Sequence, residues 1–273
     1  RILSFLAALL ALAGCSPLAV LNTFVPNGGF DRHAGISYAP GDRHGLDVYV
    51  PRGGGATPSP VIVFFYGGAW DSGERGSYLF VAEALTARGF VVVIPDYRIY
   101  PQVRYPAFVE DAAAAFAWTK REIGRYQGDP ARVFLMGHSA GAHIAAMVAY
   151  NERFLAKEGL KRSDVRGFIG LAGPYDFTPD EPKVIAALSG EGDPEKAMPA
   201  RYVRGGEPPS LIITGGKDTR VGPQNRDSLV GRLKVAGSAV EDRRFPDLSH
   251  STLVAKFAKP LRDDALVDAV AQW

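Results

Sequence analysis

Short runs of consecutive apolar residues, each closed by glycine, proline or a charged turn, alternate along the chain with longer stretches whose apolar positions recur every three or four residues. The short runs read as buried strands and the longer ones as amphipathic helices. Strands are expected at 61–65, 90–94, 132–136, 166–171, 211–214 and 239–245, and helices at 78–88, 106–123, 140–151, 225–236 and 263–272. Near-continuous apolar strands separated by helices specify an α/β protein of three layers, a mainly parallel sheet flanked by helices. Residues 46–50 alternate apolar and polar side chains instead, which predicts an antiparallel edge strand. The connection 174–209 is long for a strand-to-strand link and holds a helix at 182–188, so it is expected to form a small cap over one end of the sheet.

Composition narrows the class without changing that picture. The chain has 273 residues, 47% of them hydrophobic, and a net charge of +2 spread without long runs, which suits one globular enzyme-sized domain. No basic block or recognition motif points to nucleic acid, and no spacing suggests a metal site. A single cysteine, Cys15, excludes an internal disulfide.

Chemistry concentrates at Gly137-His138-Ser139-Ala140-Gly141, between an expected strand and an expected helix. A G-x-S-x-G at such a junction holds the serine in a strained turn that lifts its hydroxyl clear of the sheet, and the glycines let strand and helix pass close together. The N–H of Ala140 opens the helix, where unsatisfied donors and the positive end of the helix dipole can receive a developing oxyanion. These residues fit a hydrolytic nucleophile. The strand at 61–65 runs into Tyr66-Gly67-Gly68-Ala69-Trp70, a glycine turn able to aim the N–H groups of Gly68 and Ala69 at the same oxyanion.

An acid is expected at Asp218, just past the strand at 211–214, where a carboxylate reaches the rim that carries the serine. Asp176, after the preceding strand, is its rival. Asp247 reads as a turn residue. The base follows by elimination among five histidines. His33 and His44 precede the core strands, His138 points away from the serine, and His143 is expected to pack or cap within its own helix. His250 lies downstream of both acids, in a polar loop, and completes the chain order serine, aspartate, histidine.

Together these motifs resemble α/β-hydrolases of the bacterial carboxylesterase type that carry an H-G-G-x-W oxyanion motif, which kynurenine formamidases share. The resemblance runs from about Tyr38 to the C-terminus and includes Pro95-Asp96-Tyr97-Arg98, in that family a structural corner near the site. It implies the α/β-hydrolase fold, a Ser139, Asp218 and His250 triad, and oxyanion donors Gly68, Ala69 and Ala140. It also implies acyl-enzyme hydrolysis of small-molecule carboxylic esters without cofactor or metal, and the small cap suggests short to medium acyl chains. Tyr66 replaces the family's usual histidine, which alters the hydrogen bonding behind the oxyanion loop. Tyr66, Trp70, Tyr175 and Phe177 are candidates for lining the substrate pocket. An arylformamidase or other amidase would use the same triad, and a catalytically silent ligand-binding lipoprotein is the alternative of another class.

Residues 1–14 are too short an apolar stretch to span a bilayer comfortably and read as a signal peptide of the lipoprotein type. Leu12-Ala13-Gly14-Cys15 resembles a bacterial lipobox, with Cys15 as the lipid attachment. Residues 15–34 would be a tether and 35–273 the catalytic domain. Several acyl chains would hold that domain stably on a membrane of the bacterial cell envelope, and Ser16, lacking acidic character, favours the outer membrane.

Overall fold

The structure, a computed structural model, describes residues 20–26, 28–55 and 57–273, so the expected signal peptide and Cys15 lie outside the described residues. The β-branched and aromatic runs form the expected strands. β1 (Phe30–Ser37), β2 (Gly45–Pro51), β3 (Ser59–Phe65), β4 (Val91–Pro95), β5 (Gly128–His138), β6 (Gly167–Leu171), β7 (Ser210–Gly215) and β8 (Val240–Phe245) make one sheet in the order β1-β2-β4-β3-β5-β6-β7-β8. From β4 to β8 every pair is parallel, whereas β1 pairs β2 and β2 pairs β4 antiparallel. Strand order reverses at β3, which sits between β4 and β5. In an open α/β sheet such a reversal leaves a crevice outside the carboxyl ends of the flanking strands. Both glycine motifs leave the sheet there.

The expected helices form within a few residues of their predicted bounds: Leu79–Thr86, Ala107–Glu122, Ala140–Tyr150, Pro223–Val235 and Asp264–Ala271. Every residue of Ala140–Tyr150 is buried, because its small side chains let it sit between the sheet and the segment above. That segment is the expected cap, with a helix at Pro182–Leu188. It is seated by Ala187, Leu188, Ala197, Met198 and Ala200, all fully or almost fully buried.

Two expectations need correction at the sheet's margin. β2 is not an edge strand, because β1 pairs along its outer side. Four of the first five residues of β1 are exposed, so no alternation marked it, and the expected tether already joins the sheet at Phe30. Asp47 of β2, which alternation assigns to solvent, is fully buried between Arg32 and Arg75.

Candidate active site

Ser139 sits at φ 54° and ψ −125°, the strained turn expected of a nucleophile elbow. The flanking glycines are required sterically: a Cβ on Gly137 would strike the carbonyl of Gly141, and one on Gly141 would strike the carbonyl of Phe65. The turn is fastened to the next strand by the Ser139 N–H, which donates to the Leu171 carbonyl at 2.9 Å.

His250 does not lie in an open loop as expected, but is the first residue of the helix His250–Ala255, entered through a capping box made by Ser249 and Thr252. Its Nδ1–H donates to Asp218 Oδ2 at 2.9 Å, and the Ser139 hydroxyl donates to its Nε2 at 2.8 Å. The second carboxylate oxygen of Asp218 accepts the backbone N–H groups of Arg220 and Val221, each at 2.9 Å. Burial pushes the Asp218 carboxyl up, but the hydrogen bond from His250 and the backbone donors outweigh it and hold the group below its ordinary value. Gly215 and Gly216 explain the approach, since a Cβ on either would collide with the backbone at Leu248 or Pro246, on the chain that delivers His250.

The expected oxyanion loop is equally constrained. Gly68 adopts φ 138°, where a Cβ would strike the Ser72 carbonyl, and Ala69 and Trp70 follow in the left-handed region at φ 48° and 62°. Among the described residues the N–H groups of Gly68 and Ala69 donate to no protein acceptor. Gly68, Ala69, Ser139 and His250 border one lobe of about 500 Å³, which continues past Asp71, Ser72 and Lys183. Ala69, Trp70, Ser139, Ala140 and Phe177 border a second lobe of about 240 Å³. The serine therefore stands at the saddle between two unequal lobes. Glu181, Val184 and Arg220 border both lobes, a role no sequence motif announced, since only the folded cap and the turn after β7 bring them there.

Other expected residues fall elsewhere. Tyr66 and Tyr175 are both fully buried and line neither lobe. The ring of Tyr66 stacks between Tyr78 and Tyr97, and its hydroxyl donates to Asp96 at 2.8 Å. Tyr175 packs edge-on against Phe168. Trp70 and Phe177 do reach the smaller lobe, where their rings stack 6.3 Å apart. Asp176 accepts from the Ser228 hydroxyl at 2.5 Å rather than meeting His250. Asp247 makes an exposed ion pair with Lys217, consistent with a turn residue.

Two further histidines carry roles the sequence did not reveal. His143 does not cap its own helix: it accepts from Trp70 and donates to Ala197. His138 donates from Nε2 to the His250 carbonyl at 3.0 Å, with the two rings 4.9 Å apart. Burial, and then the neighbouring His250, push the His138 pKa down to about 3, which keeps it neutral.

A serine on the turn after β5, an aspartate after β7 and a histidine after β8, over this sheet order, define the α/β-hydrolase class. The sequence model of the BD-FAE family matches residues 46–233, more than half of the chain, and the protein belongs to that family. It is 30% identical over 226 residues to the esterase LipC of Mycobacterium tuberculosis, an alignment covering 75% of this chain and 56% of that one. It is 35% identical over 146 residues to a probable isoprenylcysteine alpha-carbonyl methylesterase of Oryza sativa subsp. japonica, covering 52% of this chain and 35% of that one. The chain thus spans between about a third and three-fifths of the length of such curated relatives. Among solved structures, esterase B of Lactobacillus rhamnosis shares the fold at 18% identity with a TM-score of 0.78, covering 99% of this chain and 94% of that one. Esterase 2 of Thermogutta terrifontis does so at 24% identity and a TM-score of 0.73, covering 90% and 92%.

Proposed function

We propose that the protein hydrolyses carboxylic esters of short to medium acyl chain through a covalent acyl-enzyme. One observation carries the reading: Ser139, His250 and Asp218 stand in a single hydrogen-bonded line opening onto a two-lobed cavity. The Ser139 oxygen attacks the ester carbonyl while its proton passes to His250 Nε2, and Asp218 stabilises the imidazolium. The oxyanion is received by the N–H groups of Gly68, Ala69 and Ala140. Collapse breaks the ester bond, and the alcohol leaves with the proton from His250. Water, deprotonated by His250, then attacks the acyl-enzyme, releasing the acid and restoring Ser139.

The lobes suggest which half of the substrate goes where. The departing alcohol must take its proton from His250, so it belongs in the larger lobe, which His250 borders. The acyl group is left to the smaller lobe of about 240 Å³ against Trp70 and Phe177, room for a short chain. The names of the relatives, esterases and a methylesterase, support the same bond type.

Hydrolysis of p-nitrophenyl esters from acetate to palmitate, beside Ser139→Ala, tests the proposal. Butyrate should outpace palmitate, and the variant should lose on the order of a millionfold in turnover. Faster cleavage of an N-formyl arylamine than of the matched ester would replace the reading with an amidase, and no reaction of Ser139 with a fluorophosphonate would indicate a silent binding protein. We also propose that Cys15 is lipid-modified and anchors the domain in the bacterial cell envelope, as the preceding small and apolar residues suggest. Labelling of cells with a clickable palmitate should mark the protein and not Cys15→Ala.

A further inference from the structure

Ala69 and Trp70 are consecutive non-glycine residues in the left-handed region. Such a residue is strained and persists only where the surroundings hold it. Two bonds hold Trp70: its carbonyl accepts the Tyr100 N–H at 2.8 Å, and its indole Nε1–H donates to His143 Nδ1 at 3.2 Å. The indole meets the imidazole edge-on, with centroids 5.0 Å apart, while it stacks on Phe177 in the smaller lobe.

His143 is fully buried on the helix Ala140–Tyr150, which starts at the nucleophile turn. Its Nε2–H donates at 2.5 Å to the carbonyl of Ala197, in the cap turn Pro194–Ala197. An indole can only donate and a carbonyl can only accept, so the neutral imidazole with its proton on Nε2 alone satisfies both partners. One ring thereby joins three parts: the helix behind the nucleophile, the loop that presents Gly68 and Ala69, and the cap.

We infer that His143 is a positioning residue that sets the oxyanion loop through Trp70 and links the seating of the cap, through Ala197, to that loop. The inference rests on the reading of Ser139 as nucleophile. Loss of the link displaces donors used in the transition state, so it falls on kcat rather than on KM.

The test uses the intact chain and three variants. Glutamine at this position can accept from the indole and donate to the carbonyl; His143→Leu can do neither, and Trp70→Phe removes the indole donor together with part of the ring that borders the smaller lobe. Hydrolysis of p-nitrophenyl butyrate, the rate of Ser139 labelling by a fluorophosphonate, and thermal melts are measured for each. His143→Leu and Trp70→Phe should each lower kcat about tenfold to a hundredfold, with KM within about threefold for His143→Leu, at a position that borders neither lobe, and labelling should slow in parallel. His143→Gln should recover at least about a third of wild-type kcat. A folded His143→Leu or Trp70→Phe protein with kcat within threefold of wild type overturns the inference, as does a loss confined to KM or one that glutamine does not rescue. Should His143→Leu fail to fold, Trp70→Phe against His143→Gln decides. Failure of the nucleophile reading looks different, because wild type itself would then neither turn over nor label.

Discussion

Asp218 and Asp176 follow neighbouring strands, and residue type alone did not separate them. The structure does so through what surrounds each carboxylate: Asp218 faces His250 and two backbone donors, Asp176 faces Ser228. Asp218→Asn cannot hold the imidazole in the tautomer that accepts from serine, so under the proposed mechanism kcat at pH 7 should fall about ten-thousandfold. Asp176→Asn should stay within a few-fold, and steady-state kinetics on the two variants checks both. The elbow glycines were legible because the motif is local, five residues between a strand and a helix, although the neighbour that requires Gly141 is the distant carbonyl of Phe65. Tyr66 and Tyr175 pack away from the cavity, a difference the sequence does not carry because an aromatic next to a motif looks the same whether it lines a cavity or packs beneath it. The partners of His143 and His138 were hidden because Ala197 and the His250 carbonyl are 54 and 112 positions away.

At the scale of elements, the parallel strands were readable because a strand buried on both faces is apolar throughout. β1 was not, since it gains its place by backbone pairing with β2 and by the ion pair of Arg32 with Asp47. Asp47 also pairs with Arg75, which in turn pairs with Asp96, the acceptor for the Tyr66 hydroxyl. This chain of charges, buried at its carboxylates and partly exposed at its arginines, links β1 and β2 to the segment behind the expected oxyanion loop. Burial pushes the Asp47 carboxyl up, but the Gly35 N–H and the two arginines outweigh it and hold the group below its ordinary value. Asp47→Asn removes the arginines' shared anion, but Arg75 keeps Asp96 and Arg32 is partly exposed, so the cost should be about 1–2 kcal/mol, read from urea denaturation midpoints.

For the whole molecule, two neutral buried histidines set an acid limit. Burial pushes His138 down to about 3 and His143 to about 4 from the ordinary histidine value of 6.5. Below pH 6.5 the unfolded chain binds protons at both rings while the folded protein binds almost none until pH approaches 4, so stability falls as pH falls through that window. The loss is on the order of 3 kcal/mol for each ring by pH 4. His143→Gln removes one titration while keeping both hydrogen bonds, so its stability between pH 4.5 and 6 should decline less steeply, by up to about 1.4 kcal/mol per pH unit. Denaturant melts across that range measure the difference.

The sequence by itself determined the parallel sheet, the covering helices, the cap and the strained serine turn. Those follow from hydrophobic period and backbone sterics, which act over a few residues. Only the tertiary structure decided which carboxylate meets His250, which aromatics border the cavity, that β1 closes the sheet, and that His143 joins the oxyanion loop to the cap. Each of these depends on burial and on partners supplied by distant segments, and those exist only once the sheet has brought its strand ends together.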